Sequence, residues 1–345
     1  IREEADAEHE SLRLEEGNLF RVVLFQGPSG YRRVLLVAHH LLVDGVSWQV
    51  LLDDLSTLVS QSLAGSPLRL PGKTTSLHSW AIALTSPETL ERASSVVSYW
   101  TEEPDGSPAQ AVPEPAGKTR DAGVMADAVL HRLTLSSSQA SPPHGSGTGQ
   151  PDVRVHERLL AGLLLGWCRW RGESQLHLDM EGHGRDVLGR RLDVSRTVGW
   201  FTTVFPVTLR LTEQTAEQAI RAARECLGRL PMQGAAHGIV RYLHPDAEVR
   251  RPLASRPRAE VLFNYLGITD GGLPPDSPFE MADGPTGEAR SPDAPRAYPI
   301  EINAYMEGGR VVVDIEYSMG GHTAESIGRL ADEVAVGFAE VAGGA

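Results

Sequence analysis

Two periods of hydrophobic and polar residues alternate along the chain, and together they predict a mixed α/β fold. Short apolar runs over residues 19–25 and 31–38 flank a Gly-Pro-Ser-Gly turn at 27–30, which predicts two adjacent strands. Residues 46–58 then show the spacing of an amphipathic helix, and Asp44-Gly45 supplies the turn before it. Strand-like and helix-like segments that alternate in this way favour the α/β class.

The second half of the chain continues this alternation after stretches rich in Pro, Gly and Ser at 104–124 and 141–151. We place a boundary within the Gly-rich residues 145–149, which predicts an N-terminal lobe over 1–150 and a C-terminal lobe over 151–345. The predicted elements of the C-terminal lobe are a helix at 153–170, strands at 175–180, 260–265, 298–305 and 311–317, and a closing helix at 324–341.

A pair of histidines, His39 and His40, stands where the second predicted strand gives way to the helix. A histidine side chain takes up or releases a proton close to neutral pH, so it is suited to general acid/base catalysis. Neighbouring side chains point in different directions, so one imidazole can be fixed inward while the other faces a cleft. The same divergence argues against a shared metal ion, and the sequence contains no second His/Cys cluster with ligand spacing.

Four sequence motifs occur in one order: His-His-x-x-x-Asp-Gly at 39–45, Glu-Gly-His-Gly-Arg-Asp at 181–186, Arg-Thr-Val-Gly-Trp-Phe-Thr at 196–202 with Phe-Pro-Val at 205–207, and Phe-Asn-Tyr-Leu-Gly at 263–267. This series resembles the epimerization branch of the condensation superfamily of non-ribosomal peptide synthetases. The first motif alone is moderately specific, because many acyltransferases carry it. The ordered series over residues 39–267 is much more specific.

The resemblance implies a two-lobed architecture like that of chloramphenicol acetyltransferase, with the active site between the lobes. It also implies epimerization at the Cα of an aminoacyl or peptidyl residue held as a phosphopantetheine thioester. The expected partners are a peptidyl carrier protein and other synthetase domains. No cofactor is expected to bind directly, because the carrier protein supplies the phosphopantetheine arm. A cytoplasmic location is expected.

An epimerase needs one group to remove the Cα proton and another to return a proton to the opposite face. His40 and Glu181 are the candidate catalytic pair, with Glu181 dependent on an environment that lets it exchange protons. The enolate formed between the two steps needs hydrogen-bond donors. The candidates for this role are Asn264, Tyr265 and backbone N–H groups near Gly45.

The remaining motif residues are expected to support the site. His39 is interpreted as a structural histidine, and Asp44 as the partner in a salt bridge that fixes the motif turn, with Arg185 as the candidate cation. His183 is expected to support Glu181, because the glycines on both sides permit unusual backbone angles. The remaining candidates, for contact with the substrate, are Trp200 and Thr202.

The chain departs from the family pattern at two places. Only 38 residues precede the histidine pair, so most of the first part of the N-terminal lobe is expected to be absent from this sequence. Either the sequence is a fragment or the lobe is naturally shortened, and a partner chain or a further segment would complete it. The segment at 231–238 also differs, because Ala236 and His237 stand where the family usually has Gly and Tyr.

Composition narrows the range of partners. The net charge of −13 over 345 residues argues against nucleic acid and anionic membrane surfaces, both of which require clustered Lys and Arg. No apolar run approaches the roughly 20 residues of a membrane span. Cys168 and Cys226 lie in apolar, helix-like segments and are interpreted as structural thiols.

Three other functions fit parts of the pattern. Condensation uses the same fold and histidine to form an amide bond, although the motifs around Glu181 and Trp200 favour epimerization. A shortened relative recruited to a different reaction is a second alternative, and altered residues such as His237 would be part of that change. A non-catalytic docking or scaffold domain is the third, because a lobe without its first part should expose apolar surface.

Overall fold

The computed structural model describes residues 1–102, 122–135, 155–189, 192–269, 272–274 and 276–343. The chain forms two compact units that are discontinuous in sequence. Unit 1 contains Ile1–Ile82, Leu188–Thr202 and Gly271–Ala294, and unit 2 contains Ala83–Val187, Thr203–Asp270 and Pro295–Ala345. These units differ from the predicted division at residue 150. The Gly-rich boundary predicted at 145–149 lies outside the described residues.

Unit 1 contains the predicted strand pair and the helix that follows it. Its elements are α1 (Arg2–Glu10), β1 (Phe20–Gln26), β2 (Arg32–Ala38), α2 (Gly45–Leu63) and most of α3 (Leu77–Leu84). The strands β1 and β2 form an antiparallel hairpin that is joined by a 3₁₀ turn.

One face of the β1–β2 hairpin is apolar and open to solvent. Phe20, Val22 and Leu24 are 40%, 61% and 52% exposed, and Val34, which pairs with Leu24 on the other strand, is 43% exposed. The opposite face carries the buried Val37. A two-stranded sheet has little stability of its own, so this hairpin depends on packing through its buried face.

Unit 2 is built on a six-stranded sheet with the strand order β3-β8-β7-β6-β4-β5. The pairs β4–β6 and β6–β7 are parallel, and the other neighbouring strands are antiparallel. The strands are β3 (Ala128–Leu135), β4 (Gln175–Gly182), β5 (Thr203–Arg210), β6 (Val261–Ile268), β7 (Ile300–Glu307) and β8 (Arg310–Ser318). The helices are α4 (Pro87–Ser94), α5 (Ser98–Thr101), α6 (Val155–Arg171), α7 (Ala216–Arg229), α8 (Ala235–Gly238), α9 (Ala247–Ala254) and α10 (Ala324–Gly343), with a π-helical turn at Ile239–Leu243.

The two faces of this sheet differ in polarity because side chains alternate along each strand. One face carries Met180, Phe263 and Ile302 into the core that α6 and α10 help to form. These two helices approach closely at glycines: a methyl group added at Gly166 would lie 2.5 Å from the backbone of Val334. The other face carries mainly polar residues and includes Glu181.

The strands at 175–180, 260–265, 298–305 and 311–317 and the helices at 153–170 and 324–341 are confirmed with small shifts of their ends. Two strands, β3 and β5, were not predicted. Cys168 and Cys226 are free thiols on α6 and α7, and burial raises the pKa of the first to about 11 and of the second to about 12. Within the described ranges, no helix combines the length and hydrophobicity that crossing a membrane requires.

Candidate functional site

The two motif histidines have different environments at the end of β2. The Nδ1 atom of His39 accepts a hydrogen bond from the N–H of Leu41 (3.1 Å), and the His39 N–H donates to the carbonyl of Leu19 (2.9 Å). These bonds fit the structural role expected of His39. The side chain of His40 is exposed, and its ring lies 4.7 Å from that of Trp200 at an interplanar angle of 50°. His40 is therefore the histidine that can meet a substrate.

Asp44 fixes the motif turn from a buried position. It caps the N-terminus of α2: its Oδ1 accepts hydrogen bonds from the N–H and the hydroxyl of Ser47, both at 2.7 Å. Its Oδ2 accepts a third bond, from the N–H of Phe201 at 3.2 Å. The expected structural role of Asp44 thus rests on these three hydrogen bonds, and its pairing with Arg185 stays a prediction.

The same contacts fasten the Trp200 loop to the histidine motif. The Ser47 hydroxyl lies 2.9 Å from the carbonyl oxygen and 3.0 Å from the amide nitrogen of Gly199, and it is fully buried. Phe201 is buried, with its ring 4.8 Å from that of Trp80. Trp200, between these two anchored residues, is 44% exposed and lies beside His40. Residues 199–201 therefore position an aromatic wall next to the candidate base.

Replacing Asp44 with alanine should lower the free energy of unfolding by about 2–4 kcal/mol. The variant loses the α2 cap, worth about 1 kcal/mol, and leaves the buried N–H of Phe201 without its acceptor, at about 1–3 kcal/mol. Asp246 is a matched control, because it caps α9 at an exposed position. Urea unfolding should show a loss at or below about 1 kcal/mol for Asp246→Ala. Equal losses of unfolding free energy in the two variants would contradict the stabilising role of the hydrogen bond from Phe201 to Asp44.

Glu181 lies near the end of β4, where the strand leads into a glycine-containing turn. Gly184 adopts φ +65°, which favours glycine and lets the turn close. Nδ1 of His183 accepts a hydrogen bond from the N–H of Arg185 (3.2 Å), and its Nε2 lies 3.6 Å from the Asp186 carboxylate. His183 is exposed, and these contacts lie within the turn; its expected support of Glu181 stays a prediction. Arg185 is 8% exposed.

Asn264 and Tyr265, the two residues proposed to stabilise the enolate, lie on opposite faces of the sheet. Met180 of β4 pairs with Phe263 of β6, so the next residues, Glu181 and Asn264, lie on the same polar face of the sheet. Tyr265 follows Asn264 and therefore points to the opposite side, where its ring lies 5.6 Å from His156. The predicted role of Tyr265 in stabilising the enolate conflicts with this alternation, because its side chain lies on the face opposite Glu181. Asn264 lies on the same face as Glu181.

Two other predicted positions have clear local environments. Gly45 is the first residue of α2, where a helix leaves backbone N–H groups without helical partners. Thr202 is half-buried and follows the anchored Phe201. Their roles towards a substrate stay predictions. Over the residues that the structure covers, no group of three or more His, Cys, Asp and Glu side chains could hold a metal ion.

A buried pair that the sequence did not suggest lies on the same strand as Glu181. The hydroxyl of Tyr298 donates a hydrogen bond of 2.8 Å to Asp179, and these residues are 6% and 7% exposed. Asp179 and Glu181 are two residues apart on β4, so both point to the polar face. Because 119 residues separate Asp179 from Tyr298, no local pattern could have revealed the pair.

The second departure from the family pattern places a histidine in the interior. His237 is 5% exposed, its ring lies 5.5 Å from that of Trp100, and among the described residues neither ring nitrogen has a hydrogen-bond partner of good geometry. Burial lowers its pKa to about 4, with Arg241 adding to the effect. The preceding turn is tightly constrained: Gly234 adopts φ +89°, and a methyl group there would lie 2.1 Å from the ring of Phe205.

His237 should make the fold sensitive to mild acid. An unfolded histidine titrates near pH 6.5, so below that pH the unfolded state binds a proton that folded His237 takes up only near pH 4. Stability is therefore complete above pH 6.5 and is lost as the pH falls towards 4. Between pH 7.5 and pH 5, the free energy of unfolding of the wild type should fall by roughly 2 kcal/mol more than that of His237→Gln. Urea unfolding at the two pH values measures this difference. The control is the same substitution at the exposed His78. An unchanged pH dependence in His237→Gln would refute the prediction.

Comparison with known proteins shows that the chain matches the condensation domain family and is similar to parts of large synthases. The family model described as the condensation domain matches residues 1–342. The chain is 35% identical, over 97% of its length, to a linear gramicidin synthase of Brevibacillus parabrevis. It is 32% identical, over 96% of its length, to tyrocidine synthase 1 of the same organism. The chain spans only 4% and 31% of these two proteins, respectively.

Solved structures show the same fold. The epimerization domain from the third module of tyrocidine synthetase B matches all of this chain and 76% of its own, with a TM-score of 0.85 and 29% identity. The first condensation domain of the CDA synthetase matches 94% of this chain with a TM-score of 0.59 and 14% identity, which supports the fold alone. The predicted mixed α/β fold of the chloramphenicol acetyltransferase type is confirmed.

Proposed function

Since this chain belongs to the condensation domain family, we propose that it inverts the Cα of an aminoacyl or peptidyl residue held as a thioester on a carrier protein. The observation that carries the proposal is the presence of two proton-transfer groups in the epimerization-type motifs. His40 is exposed beside an anchored tryptophan, and Glu181 lies on the polar face of the unit 2 sheet. The 29% identity to a solved epimerization domain supports the same activity.

His40 is one of the two groups that exchange a proton with Cα. Its exposed imidazole can accept the proton because the thioester carbonyl makes the Cα–H bond acidic. The electron pair of that bond then becomes part of an enolate. The hydrogen bonds of Asp44 and Ser47 hold the Trp200 loop against the histidine motif, which restricts the positions the imidazole can adopt. A positioned general base of this kind contributes about 10²- to 10⁴-fold in rate.

Glu181 is the second proton-transfer group. A proton delivered to the face opposite the one deprotonated converts the enolate into the inverted thioester, and the reverse sequence restores the original isomer. The proposal therefore requires the imidazole and the carboxyl group to reach opposite faces of one Cα. Asn264, on the sheet face of Glu181, can donate its amide N–H to the enolate oxygen. Losing such a donor typically costs about 2.7–4 kcal/mol of transition-state stabilisation.

The substrate is proposed to arrive on a phosphopantetheine arm that belongs to a peptidyl carrier protein. No chemistry of that arm is needed beyond the thioester, whose carbonyl acidifies the Cα proton. The chain's own residues supply the base, the acid and the enolate donor. The proposed partners are the carrier protein and the other domains of a synthetase, consistent with the large synthetases that the chain resembles over part of their length.

Condensation is the second candidate, because the family and the paired histidines are common to both activities. The two functions make different products from the same reagents. We would incubate the chain with one carrier protein bearing an L-aminoacyl thioester and a second carrier bearing a different aminoacyl thioester. Epimerization predicts a mixture of L and D residues on the first carrier and no amide product. A dipeptidyl thioester on the second carrier would establish condensation instead.

A further inference from the structure

We propose that Asp179, held by Tyr298, is a positioning residue that raises the proton affinity of Glu181. This inference rests on the proposed function, in which Glu181 must carry a proton in order to return it to Cα. A carboxyl group in water is ionised at neutral pH, so a proton-returning glutamate needs a feature that favours its protonated form. A second carboxylate nearby is one such feature, because two like charges disfavour the doubly ionised state.

The two carboxylates lie on one strand and on one face of the sheet. Asp179 and Glu181 alternate with the core residues Leu178 and Met180, so both project from the polar face of β4. Residues two apart on a strand are separated by about 6.6–6.8 Å along the chain. The Asp179 carboxylate is held in place, because the rigid phenol of Tyr298 donates to its Oδ2 and both residues are almost completely buried.

The charges of Asp179 and Glu181 both act on Tyr298. Burial, the nearby charge of Asp179 and the hydrogen bond all raise the pKa of Tyr298, and Glu181 lies close enough to raise it further. Burial raises the pKa of Asp179, while the Tyr298 hydrogen bond, the Ala259 backbone and two cations oppose the increase. Among the described residues, the charged or titratable groups that act on this pair include Arg241 of the π-helical turn, Arg258 before β6 and Tyr298 before β7, and His177 lies on the same face of β4.

Opposing influences act on the charge of Asp179. Burial is the largest and raises its pKa, whereas two hydrogen-bond donors and two arginines near the carboxylate favour the ionised form. The ring of Tyr298 also lies 5.7 Å from the guanidinium of Arg258, which keeps one of these cations beside the pair. At a spacing of about 7 Å, a negative charge at an effective dielectric constant of about 20–40 raises the pKa of a neighbouring carboxyl group by about one to two units.

The test measures the pKa of Glu181 directly, in the full chain without substrate. Carboxyl carbons labelled with ¹³C in glutamate would be followed by NMR as the pH changes, and the signal lost in Glu181→Gln identifies the residue. In Asp179→Asn, we expect the pKa of Glu181 to fall by about one to two units. Tyr298→Phe should shift it in the same direction by less, because Asp179 then holds its own proton to a higher pH.

Asp314 provides a matched control on the same sheet face. It accepts a hydrogen bond of 3.1 Å from Tyr305, but it lies on β8, three strands from β4 in the sheet order, and is paired with Arg132. Asp314→Asn should leave the pKa of Glu181 unchanged. An unchanged pKa in both Asp179→Asn and Tyr298→Phe would overturn the inference, and if Asp179→Asn failed to fold, Tyr298→Phe alone would decide. Because no activity is measured, this failure is distinguishable from a wild type that shows no epimerization.

Discussion

Replacing His40 with alanine should lower the rate of epimerization by about 10²- to 10⁴-fold without unfolding the protein. The expected loss is that of a positioned general base. The His40 side chain is exposed just after β2, and its ring contacts that of Trp200. Little of the core therefore depends on it. The measurement is the rate of L-to-D conversion of a carrier-bound aminoacyl thioester, taken together with the thermal unfolding temperature of each variant.

The control for His40 is another exposed histidine of unit 1. His78 lies on α3 and belongs to none of the four motifs, so His78→Ala should retain the rate of the wild type. A His40→Ala variant that is folded and fully active would exclude His40 as a proton carrier. The first motif would then have only the structural role expected of His39 and Asp44.

Replacing Glu181 with glutamine should suppress epimerization to a similar extent, because the amide cannot exchange a proton with Cα. The substitution keeps the size of the side chain on the polar face of β4. Glu307, an exposed glutamate on β7 of the same sheet, is the matched control, and Glu307→Gln should remain active. Rates measured as for His40, with unfolding temperatures alongside, separate a catalytic effect from a structural one.

The two catalytic variants should also differ in a way that a single-base mechanism does not predict. If each group serves one face of Cα, the base that remains in each variant can still remove and return a proton on its own face. We expect His40→Ala and Glu181→Gln each to retain solvent exchange with one substrate enantiomer, and the retained enantiomer should differ between them. Loss of all exchange in one variant and full inversion in the other would contradict two opposed groups.

The sequence predicted most elements near the site because their hydrophobic periods are strong and local. The hairpin of β1 and β2, the helix after Asp44 and the core strands β4, β6, β7 and β8 all follow from such patterns. The strand β5 was missed because it contains Pro206, which is disfavoured inside a sheet. The structure tolerates this proline because β5 is an edge strand.

The contacts that position the site could not be predicted, because they join residues far apart in the sequence. Ser47 holds Gly199 across 152 residues, and Asp179 accepts a hydrogen bond from Tyr298 across 119. The pairing of β3 with β8 likewise joins residues 128–135 to the sheet of unit 2, which a boundary at residue 150 would not suggest. The motif around Asn264 could not reveal that Tyr265 faces the core, because that depends on the strand's orientation in the sheet.

The most direct test of the proposed function is Cα hydrogen exchange by the wild-type chain. A carrier protein bearing an L-aminoacyl phosphopantetheine thioester would be incubated with the chain in D₂O, and the released residue analysed by mass spectrometry and chiral chromatography. We predict deuterium at Cα together with a mixture of L and D isomers, approached from either starting enantiomer. A chain that binds the loaded carrier but leaves Cα unlabelled and in its original configuration would contradict the account and favour a docking or recruited role.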